Sequence, residues 1–431
     1  MRIQGGSSRE VRGCLRELQV VSSKVETGIL RLTIKLLLLG FGVLATTGAH
    51  GSDLVTVIDA SGRKLADATL SEWSNDRLVV RTDSNQITPL DELLTLSFDR
   101  PSVPLAGGDP LVILANGDRL VLRPVGIFED VLTATWHKIA SRPAIKLPLE
   151  TIAAIILDLP AASDDRLRMY SQLQTLPPGE DIVLLVNGDQ VEGELERLDG
   201  AFVQLKSATG LLKLDRTRVR AIRMNPELTS IPKSPGRRQV LSLRDGSRFT
   251  ARSVELRERE LKCTTFAKQE FQFPLADCVG CQVYGARAFP LADQEPAQIE
   301  FTPYLSTPWP LVRNSNVLRG PLALRGVEYG TGLGVHSRSL VTYSLQPTDR
   351  EFRATVGIDD CAGGAGSVRF AVELDGRRVW DSPELTGRSL PVPLPPIKLA
   401  GAAKLTLIVD FGAHADVSDY ANWCDAVVIR D

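Results

Sequence analysis

The sequence predicts an all-β protein in which four short β-repeats precede a longer β-rich segment. Many stretches of the 431-residue chain alternate apolar and polar residues, and this period of two places successive side chains on opposite faces of a strand. Asn-Gly and Asp-Gly pairs separate several of these stretches, and such pairs supply the positive φ angles that two-residue hairpins require. One pattern also recurs four times in the middle of the chain, which indicates tandem units.

The N-terminal segment predicts an export signal. Arg31 and Lys35 precede the apolar run Leu36–Ala45, and small residues at 47–49 form a candidate cleavage site. The run is shorter than a bilayer-spanning helix requires, so we expect a cleaved signal, an uncleaved one being the alternative. The long stretch before the run suggests a translation start downstream of the first residue. We assign 1–51 to this signal.

The repeated pattern predicts small β-barrels or meanders. Each copy opens with a strand and a glycine turn, continues with a second strand pair and closes on spaced apolar residues such as Leu149, Ile152 and Ile155. The general pattern resembles SH3-like or Sm-like barrels. Because so small a unit buries little surface alone, we expect copies to pack together or pair strands. A short helix is expected at Asp164–Leu173. The four copies are assigned to residues 52–100, 109–159, 180–226 and 237–287.

The Cys278-Val-Gly-Cys281 segment of the fourth copy admits two interpretations. Closely spaced thiolates bind zinc or cycle as a dithiol. Alternatively, both cysteines are buried or disulfide-bonded, and the repeat alignment favours this because the first copy has Leu93 and Leu96 at these positions.

The C-terminal segment contains several blocks that resemble a known family. Alternating strand patterns and an Asp-Gly turn connect these blocks. Together they resemble the NPCBM family of carbohydrate-binding modules, which implies a galactose-binding-like β-sandwich (jelly roll) over residues 296–431. The blocks are Gly334-Val335-His336-Ser337, Gly357-Ile358-Asp359, Asp375-Gly376, Trp380-Asp381-Ser382 and Asn422-Trp423 with Asp425-Ala426.

The resemblance implies a carbohydrate site. A tryptophan face stacks on the apolar face of a pyranose, while imidazole, amide and carboxylate groups bind hydroxyls. For His336 and Trp423, packing inside the sandwich is the alternative. The five candidate ligands are His336, Asp359, Asn422, Trp423 and Asp425.

Two further features are expected beside this site. Asp359 and Asp360 precede a Gly-rich loop and are candidate calcium ligands, with the capping of turns as the alternative. Cys361 and Cys424 lie in blocks that the resemblance brings to one end of the sandwich. We expect a disulfide between them, with two free thiols as the alternative.

Charge and motif content restrict the function. The chain has 50 basic and 52 acidic residues, so no global field favours nucleic acid or an anionic membrane. No G-x-S-x-G, H-E-x-x-H or phosphate-loop motif is present, and the assigned units leave no room for a catalytic barrel. We predict a non-enzymatic carbohydrate-binding protein, secreted, periplasmic or at the cell surface, without a membrane span in its mature chain. The alternatives are a scaffold that binds cell-envelope proteins and an accessory subunit of a glycoside hydrolase.

Overall fold

The computed structural model describes residues 54–139, 143–304, 309–413 and 415–431. These residues are almost entirely β, which confirms the predicted fold class. Helix α1 spans Ser163–Thr175 at the position expected for a linker helix. The predicted signal at 1–51 lies outside the described residues. In the described ranges, no helix has the length and apolar character that a membrane crossing requires.

Each repeat is an antiparallel meander whose last strand returns to pair with its first. The closing pairs are β5 with β1, β11 with β6, β16 with β12 and β21 with β17. Repeat 1 contains β1 Leu54–Asp59, β2 Lys64–Trp73, β3 Arg77–Arg81, β4 Asn85–Pro89 and β5 Leu93–Phe98. Repeat 2 contains β6 Leu111–Leu114, β7 Arg119–Leu120, β8 Leu122–Phe128, β9 Val131–Trp136, β10 Ile145–Pro148 and β11 Ile152–Ile156.

The third and fourth repeats follow the same order. In repeats 2, 3 and 4 a one-turn 3-10 helix precedes the last strand: Leu149–Thr151, Arg216–Arg218 and Leu275–Asp277. Repeat 3 contains β12 Asp181–Leu185, β13 Gln190–Leu198, β14 Phe202–Ser207, β15 Gly210–Asp215 and β16 Val219–Arg223. Repeat 4 contains β17 Arg238–Leu243, β18 Arg248–Arg257, β19 Glu260–Thr265, β20 Glu270–Pro274 and β21 Cys278–Tyr284.

The repeats join through strand pairing, as expected, but not in simple sequence order. Repeat 2 pairs with repeat 3 through β11 and β16, whereas repeat 4 pairs with repeat 1 through β21 and β5. Instead of forming separate closed barrels, the 21 strands hydrogen-bond into one sheet system. A large buried apolar cluster contains residues of all four repeats.

The cysteine pair of repeat 4 lies in this core. Cys278 and Cys281 are 0% and 3% exposed, and Cys281 is paired with Leu96 of repeat 1. Burial raises the pKa of the Cys278 thiol to about 12. Both cysteines are unpaired, so the structure supports the packing interpretation of this segment.

The C-terminal segment is a sandwich of two antiparallel sheets. One sheet has the order β24-β27-β36-β29-β33, with β22 on β36 and β34 on β29; the other has the order β23-β28-β35-β30-β31, with β32 on β30. The alternating apolar residues of both sheets form one core. Asp375 and Gly376 have φ angles of 50° and 80° in the predicted hairpin turn.

The strands of this segment range from 2 residues in β24 to 11 residues in β36. They are β22 Ala288–Pro290, β23 Gln298–Phe301, β24 Val312–Arg313, β25 Leu322–Leu324, β26 Val327–Tyr329, β27 Gly332–His336, β28 Ser339–Ser344, β29 Asp349–Ile358, β30 Ser367–Leu374, β31 Arg377–Asp381, β32 Leu385–Thr386, β33 Val392–Pro393, β34 Ile397–Lys398, β35 Lys404–Phe411 and β36 Tyr420–Arg430.

Strand β22 connects the repeats directly to the sandwich. It follows the last strand of repeat 4 and pairs with β36, where Ala288 lies opposite Ile429. A small apolar cluster covers this junction and combines Ala60 and Tyr284 of the repeats with Val427 and Ile429 of the sandwich.

Candidate functional site

Three aromatic side chains meet at one end of the sandwich. Strand β27 ends at His336 and β36 begins at Tyr420, and these two residues are paired across the sheet. The Trp309 ring stacks on His336 with a centroid separation of 4.8 Å and an interplanar angle of 9°. Tyr420 lies 5.8 Å from both rings. We call Trp309, His336 and Tyr420 the aromatic triad.

Within the triad, the His336 ring packs against one face of the Trp309 ring. Its side chain is buried, with 2% exposure, whereas Trp309 and Tyr420 are partly exposed. The His336 Nδ1 atom lies 2.9 Å from the carbonyl oxygen of Ser337. Because a carbonyl oxygen only accepts, Nδ1 carries a proton and donates it. The predicted sugar ligand His336 is therefore at the right end of the sandwich, but Trp309 covers it.

A buried carboxylate fixes the loops around the triad. Asp419 accepts hydrogen bonds from the Ser337 hydroxyl and, at 2.8 Å, from the Ser367 backbone N–H. It thereby ties the start of β36 to the residues before β28 and to the start of β30. Burial raises the pKa of Asp419. The strand ends that carry the triad are thus held by a shared acceptor.

Polar and aromatic groups beside the triad face solvent. Arg338 lies 3.6 Å from Asp410, and both side chains are more than 40% exposed. The atoms of this ion pair are Arg338 Nε, which is itself buried, and Asp410 Oδ1. Tyr304 is 59% exposed and meets Phe411 edge to face at 5.6 Å. This end of the sandwich therefore combines partly exposed aromatic rings with an exposed ion pair.

The predicted calcium ligands have structural roles instead. Each Asp359 oxygen accepts two N–H groups: Oδ1 from Asn316 Nδ2 at 3.0 Å and Cys361 N at 2.9 Å, Oδ2 from Ala323 N at 3.0 Å and Asn422 Nδ2. This leaves Asp359 no free lone pair for a cation.

Asp360 also binds backbone N–H groups, although it is exposed and each of its oxygens accepts only one. It accepts the backbone N–H groups of Arg325 and Gly326, each at 2.7 Å. The calcium prediction is therefore corrected in favour of turn capping. In the described ranges, no group of three or more histidine, cysteine and acidic side chains is arranged to hold a metal.

Asn422 belongs to the Asp359 network. Its side chain is fully buried and donates from Nδ2 to Asp359, while its Oδ1 atom has no partner among the described residues. Asn422 and Asp359 are both buried and are hydrogen-bonded to each other. The structure therefore does not support the predicted contact of either residue with a sugar.

Trp423 is a core residue, and its predicted stacking on sugar is wrong. It is 1% exposed and meets Phe370 edge to face at 5.3 Å and Phe352 at 6.4 Å. Alternation along β36 places Trp423 on the inner face, one position away from the outward Asn422. Both ring faces are therefore covered by the sandwich core.

Asp425 points away from this end of the sandwich. Its carboxylate lies 3.3 Å from Gln282 Nε2 of repeat 4, and burial raises its pKa to about 6. The predicted role of Asp425 as a sugar ligand beside His336 is corrected: Asp425 contributes to the junction between repeats and sandwich.

The predicted disulfide is absent from the structure. Cys361 and Cys424 are both free thiols. Cys361 lies in a 3-10 turn at Asp360–Ala362, whereas Cys424 is buried against Leu322 and Leu324 of the β25–β26 hairpin. That apolar cover occupies the surroundings of the Cys424 side chain, so we correct the prediction to two unpaired cysteines.

Sequence reasoning missed Trp309 and Tyr420. Trp309 lies between two prolines and outside every strand pattern. This sequence context could have predicted an exposed aromatic residue in a loop. Tyr420 shares the outward register of Asn422 on β36, but only the pairing of β36 with β27 shows that it meets His336.

Comparison with known proteins concerns mainly the sandwich. Residues 296–429 match the NPCBM/NEW2 domain model. A protein of Renibacterium salmoninarum named as an endo-alpha-N-acetylgalactosaminidase is 31% identical over 106 residues, which cover 25% of this chain and only 7% of that protein.

Solved structures include two similar modules of Clostridium perfringens. The CBM51 module of GH95, in complex with methyl-galactose, is 26% identical, with coverage of 33% of this chain and 99% of that chain and a TM-score of 0.30. The CBM51-2 and INT domains of ZmpB, in complex with GlcNAc, are 17% identical, with coverage of 41% and 37% and a TM-score of 0.31. By the family match, the C-terminal part of this chain carries an NPCBM/NEW2 domain.

Proposed function

We propose that this is an exported, non-catalytic protein that binds carbohydrate at the aromatic end of its C-terminal sandwich. The observation that carries the proposal is the partly exposed Trp309 ring, held parallel to His336 at 4.8 Å. A ring fixed in this way offers a flat apolar face without further ordering cost when a pyranose stacks on it.

The polar surroundings of Trp309 suit sugar hydroxyls. Arg338 and Asp410 form an exposed ion pair, in which the guanidinium can donate to a hydroxyl and the carboxylate can accept from one. Hydroxyl groups both donate and accept, so a neighbouring donor and acceptor pair can bind adjacent hydroxyls. Because both groups are exposed, they contribute specificity more than affinity, and the stacking face supplies most of the binding free energy.

Export is part of the proposal. The apolar run at 36–45 with preceding basic residues supports it, and polysaccharide ligands are available outside the cell. In this view the repeats form a base that presents the module, and envelope proteins are candidate partners of that base.

The test uses residues 52–431 on a broad glycan array. We expect binding to neutral glycans that persists in the presence of a calcium chelator and disappears in Trp309→Ala. Trp380→Ala is the matched control, since Trp380 is also half-buried but lies on β31. Silence across the array would overturn the proposal and favour a scaffold that binds envelope proteins. Equal loss in both tryptophan variants would exclude the aromatic triad as the binding site.

A further inference from the structure

A cleft of about 690 Å³ separates repeats 2 and 4 from the sandwich. Its walls are the Asn116-Gly117 hairpin of repeat 2, strands β17 and β18 of repeat 4, and two sandwich segments at 313–321 and 329–331. The volume lies within the range of small-ligand sites. The cleft is separate from the aromatic triad, none of whose residues lines it.

Positive charge predominates in this cleft. Three of its arginines already have carboxylate partners: Arg119 pairs with Glu328, Arg238 with Asp293 and Arg313 with Glu295. Asp118 accepts from Thr250 and Asn116 side chains and from the Thr250 backbone. The arginines that line the cleft are Arg119, Arg238, Arg248, Arg313 and Arg319, against the carboxylates Asp118 and Asp293.

Arg119 and Arg248 lie opposite each other in the cleft, because β7 and β18 pair at these residues. Arg119 is 8% exposed; its Nη2 lies 2.5 Å from Glu328, its guanidinium also interacts with Tyr170, and its Nη1 is buried without a hydrogen-bond partner among the described residues. Arg248 forms no ion pair with any carboxylate in the part of the chain that the structure describes. Burial and then repulsion by Arg119 lower the pKa of Arg248 to about 10. Asp118 and Glu328 also act on Arg248, but neither lies at ion-pair distance from it, so the Arg248 guanidinium keeps donors for an anion.

Gly330 allows the sandwich to approach Arg248 closely. A Cβ atom at this position would lie 2.9 Å from Arg248 Nη1 and 3.1 Å from its Cζ. The backbone of Gly330 therefore packs against the guanidinium and restricts its position. A guanidinium that is already positioned loses less side-chain entropy when it binds a ligand.

We propose that this cleft binds the oxyanion group of an acidic saccharide, a carboxylate or a sulfate ester, between Arg248 and Arg119. The planar guanidinium of Arg248 suits bidentate contact with either group. The remaining lining favours a saccharide, because it combines amide and hydroxyl side chains such as Asn314 and Thr331 with the partly exposed rings of Phe266 and Tyr329. The site is independent of neutral-sugar binding at the aromatic triad.

The test is calorimetric titration of residues 52–431 with trigalacturonate, a sulfated galactose trisaccharide and neutral galactotriose. We expect one or both anionic ligands to bind, with an affinity that falls as salt rises. Trp309→Ala should leave this binding unchanged, which separates failure here from failure of the proposed function. The arms with the two anionic ligands show whether carboxylate or sulfate is preferred.

Charge variants locate the site. Arg248→Gln should weaken anionic binding about tenfold or more, and Arg248→Lys, which keeps the charge, should recover part of the loss. Arg257→Gln is the matched control, because this side chain is 76% exposed on β18 and the charge change is the same. The proposal is overturned if neither anionic ligand binds, if galactotriose binds equally well, or if Arg248→Gln and Arg257→Gln have equal effects. Circular dichroism shows whether Arg248→Gln is misfolded. If it is, the affinity of Arg248→Lys for the anionic ligands is compared with that of Arg257→Gln instead.

Discussion

Replacing Trp423 with alanine should destabilise the sandwich strongly while leaving the proposed sugar-binding surface at the aromatic triad in place. The ring is 1% exposed and packs on Phe370 and Phe352. Removal of a buried aromatic side chain costs about 3–5 kcal/mol of unfolding free energy. Two lost aromatic contacts, each worth about 0.5–1.5 kcal/mol beyond area burial, place Trp423→Ala in the upper part of that range.

Trp309→Ala provides the comparison. Its ring is half-buried and stacks mainly on His336, so the expected cost is about 1 kcal/mol. Urea denaturation of residues 52–431 followed by circular dichroism measures both variants, and Trp423→Phe, which keeps an aromatic ring, should recover much of the loss. A cost below about 2 kcal/mol for Trp423→Ala, or a larger cost for Trp309→Ala, would contradict the assignment of core and surface tryptophan.

Three further measurements examine the network and the junction. Alkylation of denatured, non-reduced protein should modify all five cysteines from Cys263 onward. If Cys361 and Cys424 stay unmodified, the two are joined by the disulfide that the sequence predicted. Calcium should not raise the melting temperature, and Asp359→Ala should lower stability by about 3 kcal/mol or more, because it leaves buried N–H donors unpaired; a calcium-dependent rise would refute this. The pKa of Asp425 is raised to about 6, so the folded state retains a proton that the unfolded chain has lost, and stability from this group falls as pH rises from about 4 to 6. Asp425→Asn should remove that fall in a series of melting curves, and an unchanged pH profile would count against it.

Local patterns predicted the strands and turns well. The Asn116-Gly117 hairpin has the expected positive φ of 87° at its glycine, because that turn requires little beyond its own residues. The recurrence of Leu149, Ile152 and Ile155 likewise predicted the close of a repeat, which the structure shows as a 3-10 turn followed by a strand.

Pairings between distant segments were not predictable in the same way. The pairing of repeat 4 with repeat 1 joins Cys281 and Leu96, and no local pattern encodes such a partner choice. Similarly, His336 and Trp309 become a site only when a loop folds over the end of β27.

An irregularity in the last strand explains the error over Asp425. Ala421 and Trp423 face the core, but the next inward residues are Ala426 and Val428, so the period of two is broken between them. Asp425 has a φ of 46° there, and the pairing with β29 shifts between Arg353 and Thr355. Such a bulge turns the following side chains to the other face, so the family resemblance that grouped Asp425 with His336 did not reveal its contact with Gln282.

The position of β22 has a practical consequence for dissection of the protein. The family match begins at residue 296, yet β22 at Ala288–Pro290 hydrogen-bonds to β36 and lies upstream of that boundary. A fragment cut at 296 would expose the edge of β36 together with Val427 and Ile429, and a bare apolar strand edge invites aggregation. A fragment that contains the sandwich should therefore begin before β22 and not at residue 296, so that the pairing of β22 with β36 is kept. Any sugar that it holds is consequently carried at a fixed angle to the repeats, without the swing that a loose tether would permit.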